Sequence, residues 1–113
     1  MRPNTSLQAF KAEFFRALAH PVRIRILEVL GTGERSVQEL QQLLGLEQPV
    51  VSQQLAVLRG KNIVRARKVG TTVRYALVDR LITKLLEVAR DIFDHQFADS
   101  QAMLKALQRE RRG

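Results

Sequence analysis

The sequence predicts a mainly α-helical fold carrying one small β-hairpin. Three observations predict it. Apolar residues recur at helical spacing near both ends of the chain, two short helical runs meet at Gly45, and two strand-like runs flank Gly70-Thr71. With 113 residues, 45% hydrophobic and 27% charged, the chain suits one globular domain.

Leu7, Phe10, Phe14 and Leu18 repeat at spacings of three and four, which predicts an amphipathic helix over about 7–19. His20-Pro21 interrupts it, and the proline suits the first position of a second helix reaching about Leu30. Val22 to Ile26 alternates like a strand, but Ile26, Leu27, Val29 and Leu30 abandon that period, so helix is favoured. Gly31 and Gly33 close it. At the junction, His20 is expected to cap or pack rather than to ligate anything.

Ser36 followed by Glu39 fits a capping box at the head of a third helix, whose apolar face carries Val37, Leu40 and Leu44. Gly45 can take the left-handed conformation that stops it, and Pro49 suits the first turn of a fourth helix. There Val51, Leu55 and Leu58 share the face that attaches to the core. Next, Ile63 to Val69 and Thr72 to Leu77 read as two strands joined at Gly70-Thr71, a basic hairpin. From Asp79, a good N-cap, apolar residues at Ile82, Leu85, Leu86, Ala89, Ile92 and Phe93 continue a helical period. Extended to about Leu107, that helix would be roughly 40 Å long, with Asp99-Ser100 the expected place for any break.

Nineteen Lys and Arg against eleven Asp and Glu leave a net charge of +8. The excess is local. Between Gln48 and Val78 there is no acid, while Arg59, Lys61, Arg65, Arg67, Lys68 and Arg74 all fall there. A polyanionic partner follows from that clustering. The absence of cysteine excludes disulfides and thiolate metal sites. With no apolar run near 18 residues and no signal-type leader, the expectation is a soluble cytoplasmic protein without a membrane partner. Nothing points to catalysis or to a cofactor. The serines have no evident His and acid partners, and no glycine-rich phosphate loop occurs.

Two helices about a glycine turn, followed by a basic hairpin, form the order of a winged helix-turn-helix. In that arrangement the second helix enters a DNA major groove and the wing touches flanking backbone or minor groove. The parts are the helix-turn-helix at about 36–59 and the wing at 63–77, within one domain spanning 1–113. Short polar and small apolar side chains suit base edges and thymine methyls. Gln48, Val50, Ser52 and Gln53 are therefore the expected base-reading residues. Arg59, Arg65, Arg67, Lys68 and Arg74 suit phosphate neutralisation, and Thr71 and Thr72 at the hairpin tip can hydrogen-bond a phosphate or groove edge. A solvated helix surface is the plain alternative for a Gln and Ser face. The acid-free helix, the glycine turn and the basic hairpin in this order weigh against it.

Leu18 to Leu27 (LAHPVRIRIL), Ser36 to Leu40 (SVQEL), Gln48 to Arg59 (QPVVSQQLAVLR) and Gly70 with Val73-Arg74-Tyr75 resemble the ArsR/SmtB family of winged-helix repressors. The resemblance covers roughly Phe14 to Leu77. It implies a dimeric prokaryotic regulator that binds operator DNA and leaves it when an inducer binds. It also implies that the first and last helices, about 7–19 and 79–108, form the dimer interface. Their apolar stripes support this independently, through Phe10, Phe14, Leu81, Leu85, Ile92 and Phe93. A two-fold homodimer would present two reading helices to half-sites about one helical turn apart.

The sequence departs from the family at its sensors. Where metal sensors of the family place Cys-x-Cys, this chain has Ser36-Val37-Gln38, which supplies no thiolate. At the family's second site, on the last helix, Asp79 and His95 fall in register but Leu81 and Ile92 occupy the other two positions. Two such ligands do not close a tetrahedral zinc site, so no metal is expected. Asp91 and Asp94 near His95 at helical spacing suit either a weak surface metal site or a simple ion pair, and the ion pair is favoured.

The main reading is a sequence-specific regulator of transcription, a homodimeric repressor on a double-stranded operator. A rival from another class is a protein-interaction or dimerisation module whose basic surface is incidental. A third reading keeps DNA binding and adds a small-molecule effector pocket between subunits, lined by Phe10, Phe14, Leu85 and Phe93.

Overall fold

Eight elements follow one another in the computed structural model, which describes the backbone of residues 3–112 and the side chains of 6–111. They are α1 (Pro3–Leu18), α2 (Pro21–Leu30), β1 (Arg35–Ser36), α3 (Val37–Leu44), α4 (Gln48–Gly60), β2 (Val64–Val69), β3 (Thr72–Leu77) and α5 (Leu81–Arg112). The fold is mainly helical with a small antiparallel sheet, as the sequence predicts. Among the described residues, no helix is long and apolar enough to cross a membrane.

Local chemistry sets the helix ends. His20 Nδ1 accepts the Val22 N–H at 3.1 Å, so this histidine caps α2 while Pro21 opens it. The capping box at α3 is complete. Ser36 Oγ accepts the Glu39 N–H at 3.2 Å, and Glu39 Oε1 accepts the Ser36 N–H at 2.9 Å. At the other end of α3, Gly45 stands at φ 66°, and the N–H groups of Gly45 and Leu46 both return to the Gln41 carbonyl. A side chain would resist that left-handed turn. Gly31 acts differently: it is right-handed, and an added Cβ would meet Thr83 Oγ1 at 2.9 Å. Its role is space.

Two features differ from the expectation. Residues 35 and 36 form a third strand, giving the sheet order β1-β3-β2. A two-residue strand carries no readable period. The last helix does not break at Asp99-Ser100 but continues to Arg112, over 32 residues. No Pro or Gly lies within it, and Asp and Ser alone impose only small penalties in a helix. Asp79 supplies the expected cap, its Oδ1 accepting the Leu81 N–H at 2.9 Å.

The chain divides into two compact units, Met1–Thr83 and Lys84–Gly113. In the first, Ile26, Leu27, Leu40, Val51, Leu55, Leu58, Ile63 and Val64 are fully buried and form the core beneath α2, α3, α4 and the hairpin. The second is helical. Leu85, Leu86 and Ala89 are half-buried there, and every described residue from Arg90 onward is exposed.

Candidate nucleic-acid interface

The seat of α4 defines what the helix can offer. Val51, Leu55 and Leu58, spaced by four and three, are at most 1% exposed, so they hold the helix against the core. Gln48, Val50, Gln53, Ala56, Val57 and Arg59 therefore stand exposed on the other side, with Ser52 half-buried at the margin. Gln48 Nε2 donates to Ser52 Oγ at 2.8 Å, which orders both polar groups on one turn. Gln54 is different. Its Oε1 accepts from Arg23 Nη1 at 3.1 Å, so it fastens α4 to α2.

The hairpin turns through Gly70 at φ 63°, with Val69 paired to Thr72. A positive φ at the first central position is what a two-residue type II′ turn requires. Alternation sorts the wing into two faces. Arg65, Arg67, Val69, Thr72, Arg74 and Ala76 share one face; Val64, Ala66, Lys68, Val73, Tyr75 and Leu77 share the other. The basic residues are thus divided, with Lys68 opposite in aim to the three arginines.

Arg67 and Arg74 face each other across the strands, a like-charge pair that would repel if left alone. Glu34 separates them. Its Oε1 accepts from Arg67 Nη2 at 2.6 Å and from Arg74 Nε at 3.1 Å, while its carbonyl accepts from Arg74 Nη2 at 3.0 Å. Arg74 Nη1 also lies 3.1 Å from Glu39 Oε1, the capping carboxylate of α3. The Arg67 hydrogen bond foremost, with Arg74 behind it, holds the Glu34 carboxyl below the usual carboxylate range. For Glu39 the main cause is the Ser36 N–H, with the charge of Arg74 adding to it.

A cleft of about 390 Å³ opens between α4 and β3, lined by Ser52, Leu55, Ala56, Arg59, Gly60 and Tyr75. It brings Ser52 and Arg59 together. Arg65, Lys68, Thr71 and Thr72 are exposed along the hairpin, whereas Arg67 and Arg74 are held by Glu34. Lys61 lies 3.5 Å from Glu13 of α1. Tyr75, Glu34 and Arg23 are the side chains that sequence reasoning left unassigned. Tyr75 could have been found from its place in the strand alternation, facing the helix; Glu34 and Arg23 had no local signal.

The remaining candidates lie elsewhere. Phe10 is 76% exposed, Leu81 65%, Ile92 52% and Phe93 65%. Phe14 and Leu85 are half-buried, with Phe14 edge-on to Phe15 at 5.6 Å between ring centres. Among the described residues no three His, Cys, Asp or Glu gather as a metal site would require. Neither Asp91 nor Asp94 closes the expected ion pair with His95 there; all three are exposed.

A short helix, a left-handed glycine turn, a second helix with a polar outer face and a basic hairpin define a winged helix-turn-helix regulator. Known proteins agree. Residues 20–66 match the family described as bacterial regulatory protein, arsR family. An uncharacterized HTH-type transcriptional regulator of Mycobacterium tuberculosis, Rv0081, is 46% identical over 102 residues, covering 89% of this chain and 90% of that protein. Its crystal structure superposes with a TM-score of 0.75 at 45% identity, over 88% of this chain and 97% of that one. The biofilm growth-associated repressor of Xylella fastidiosa is 39% identical over 82 residues, covering 73% of this chain and 72% of that protein. The solution structure of the homodimeric winged helix-turn-helix DNA-binding domain Mb0332 from Mycobacterium bovis gives a TM-score of 0.75 at 26% identity, over 83% and 87% of the two chains. The chain belongs to the arsR family of bacterial regulatory proteins, and it is a transcriptional regulator.

Proposed function

We infer that this regulator is a homodimeric repressor that binds an inverted-repeat operator in duplex DNA in the cytoplasm. The observation that carries the reading is the division of α4. Its apolar face is fully buried while Gln48, Val50 and Gln53 stand exposed, on a stretch without acids and beside a basic hairpin. Gln53, Gln48, Ser52 and Val50 read base edges and thymine methyls in the major groove. Arg59 at the cleft, with Arg65, Lys68, Thr71 and Thr72 along the hairpin, contacts phosphates and sets the register. Arg67 and Arg74 belong to the same basic surface, but their ion pairs with Glu34 give them a smaller share of that work.

Dimerisation is supported by the homodimeric state of the Mb0332 domain and by the exposed Phe10, Leu81, Ile92 and Phe93. Large apolar side chains left open to solvent are what a contact surface offers. Repression is supported by the Xylella fastidiosa relative. Phe14 and Leu85, both half-buried, are assigned to the subunit contact on the same reading.

Selection from a random duplex pool tests the reading. The expected product is an inverted repeat whose half-sites are centred about one helical turn, or a whole multiple of it, apart. A pool that stays random after several rounds would overturn it.

A further inference from the structure

Glu34 lies in no helix or strand, yet two wing arginines converge on one of its carboxylate oxygens. The two are held unequally. The Arg74 side chain is 30% exposed and keeps two further acceptors, the Glu34 carbonyl at 3.0 Å and Glu39 Oε1 at 3.1 Å. Arg67 is 62% exposed, and the 2.6 Å bond to Glu34 is its one ion pair among the described residues. Arg67 can therefore leave Glu34 without stranding a buried charge, because Arg74 continues to neutralise that carboxylate. A DNA phosphate offers Arg67 the same chemistry as the carboxylate does, two oxygens in a plane that suits the guanidinium fork.

We propose that Glu34 is an internal competitor for DNA phosphate, which holds Arg67 on its own carboxylate and so lowers the sequence-independent attraction of the wing for duplex DNA. The inference rests on the DNA-binding reading above. It gives the acidic residue a use in a protein of net charge +8. Non-specific attraction grows with every phosphate neutralised, and a regulator must find its site among a vast excess of other sequence. Holding back one wing cation leaves base reading a larger share of the total affinity.

Fluorescence anisotropy with a scrambled duplex, repeated over a range of salt, tests it. In Glu34→Gln, affinity for that duplex should rise about three- to tenfold, and the dependence of log affinity on log salt should steepen by about 0.9, one phosphate contact. In an Arg67→Ala background the same change should do nothing. Glu28→Gln, which removes an equal charge from the exposed side of α2, controls for net charge and should leave the slope unchanged. A second comparison needs no change at Glu34: Arg67→Ala should weaken non-specific binding less than Arg65→Ala, its neighbour on the same face. Unchanged affinity in Glu34→Gln, an equal gain without Arg67, or equal losses for the two alanine variants would each overturn the proposal while leaving DNA binding intact. A wild-type protein that binds no duplex at low salt would overturn both.

Discussion

Arg23 Nη1 donates to Gln54 Oε1 at 3.1 Å, and the same guanidinium reaches the end of α1, through Nε to the Ala17 carbonyl at 2.7 Å and Nη2 to the Arg16 carbonyl at 3.1 Å. One side chain of α2 thus caps α1 and fastens α4. Hydrogen bonds from a charged donor contribute more than neutral ones, so Arg23→Ala should lower stability by about 2–3 kcal/mol. Lysine cannot span the three acceptors, and Arg23→Lys should recover less than half of that loss in thermal or urea unfolding. Gln54→Ala should have a smaller effect than Arg23→Ala.

The Ser36 capping box lies at the junction of β1 and α3, and its serine is only 5% exposed. Ser36→Ala should destabilise by about 1 kcal/mol, and Ser36→Thr should restore most of it, read as shifts in the urea midpoint. Gly45→Ala forces a Cβ into the left-handed region and should cost a further 1–2 kcal/mol or so. Both leave the outer face of α4 untouched, so affinity for DNA measured well below the melting temperature should change little.

Acid stability follows from Glu34 and Glu39. Both carboxyls are lowered on folding from an ordinary value of 4.5, Glu34 chiefly by the hydrogen bond from Arg67 and Glu39 chiefly by the Ser36 N–H. A lowered folded value favours the folded state where the carboxylate is charged. The contribution is therefore full above about pH 4.5 and lost as the pH falls through the lowered values. Thermal melts between pH 7 and pH 3 should show the wild type losing stability over that acid window, and Glu39→Gln losing less of it.

Phe93 is 65% exposed and Phe97 67%, two aromatic side chains one helical turn apart on α5. If this face is the subunit contact, sedimentation should show the wild type as a dimer at micromolar concentration. Phe93→Asp should shift it to monomer with the helical circular dichroism retained. A wild type that stays monomeric would exclude the homodimer.

The helices were legible because their signals are local. Leu40 and Leu44, or Val51, Leu55 and Leu58, repeat within two turns, and Ser36-Glu39, Gly45 and Pro49 mark ends by chemistry carried on a few residues. The face of α4 left over once its buried side is assigned could be read in the same way. What pairs at a distance could not. Arg74 meets Glu34 forty positions earlier, and Arg23 meets Gln54 thirty-one later. Two positively charged side chains that look alike along the strand, Arg65 and Arg67, are both exposed, yet only Arg67 is paired with Glu34 in the fold. The strand β1 is too short for any period, and the unbroken α5 depends only on the absence of a strong breaker.

Base reading by α4 is the central claim, and Gln53 tests it most directly. The measurement is the ratio of affinities for the selected operator and a scrambled duplex at one salt concentration, in wild type and Gln53→Ala. A lost side-chain pair to a base should lower operator affinity by about 1–3 kcal/mol, roughly fivefold to more than a hundredfold, with scrambled binding and salt slope unchanged. Equal losses on both duplexes, or no loss on either, would contradict it.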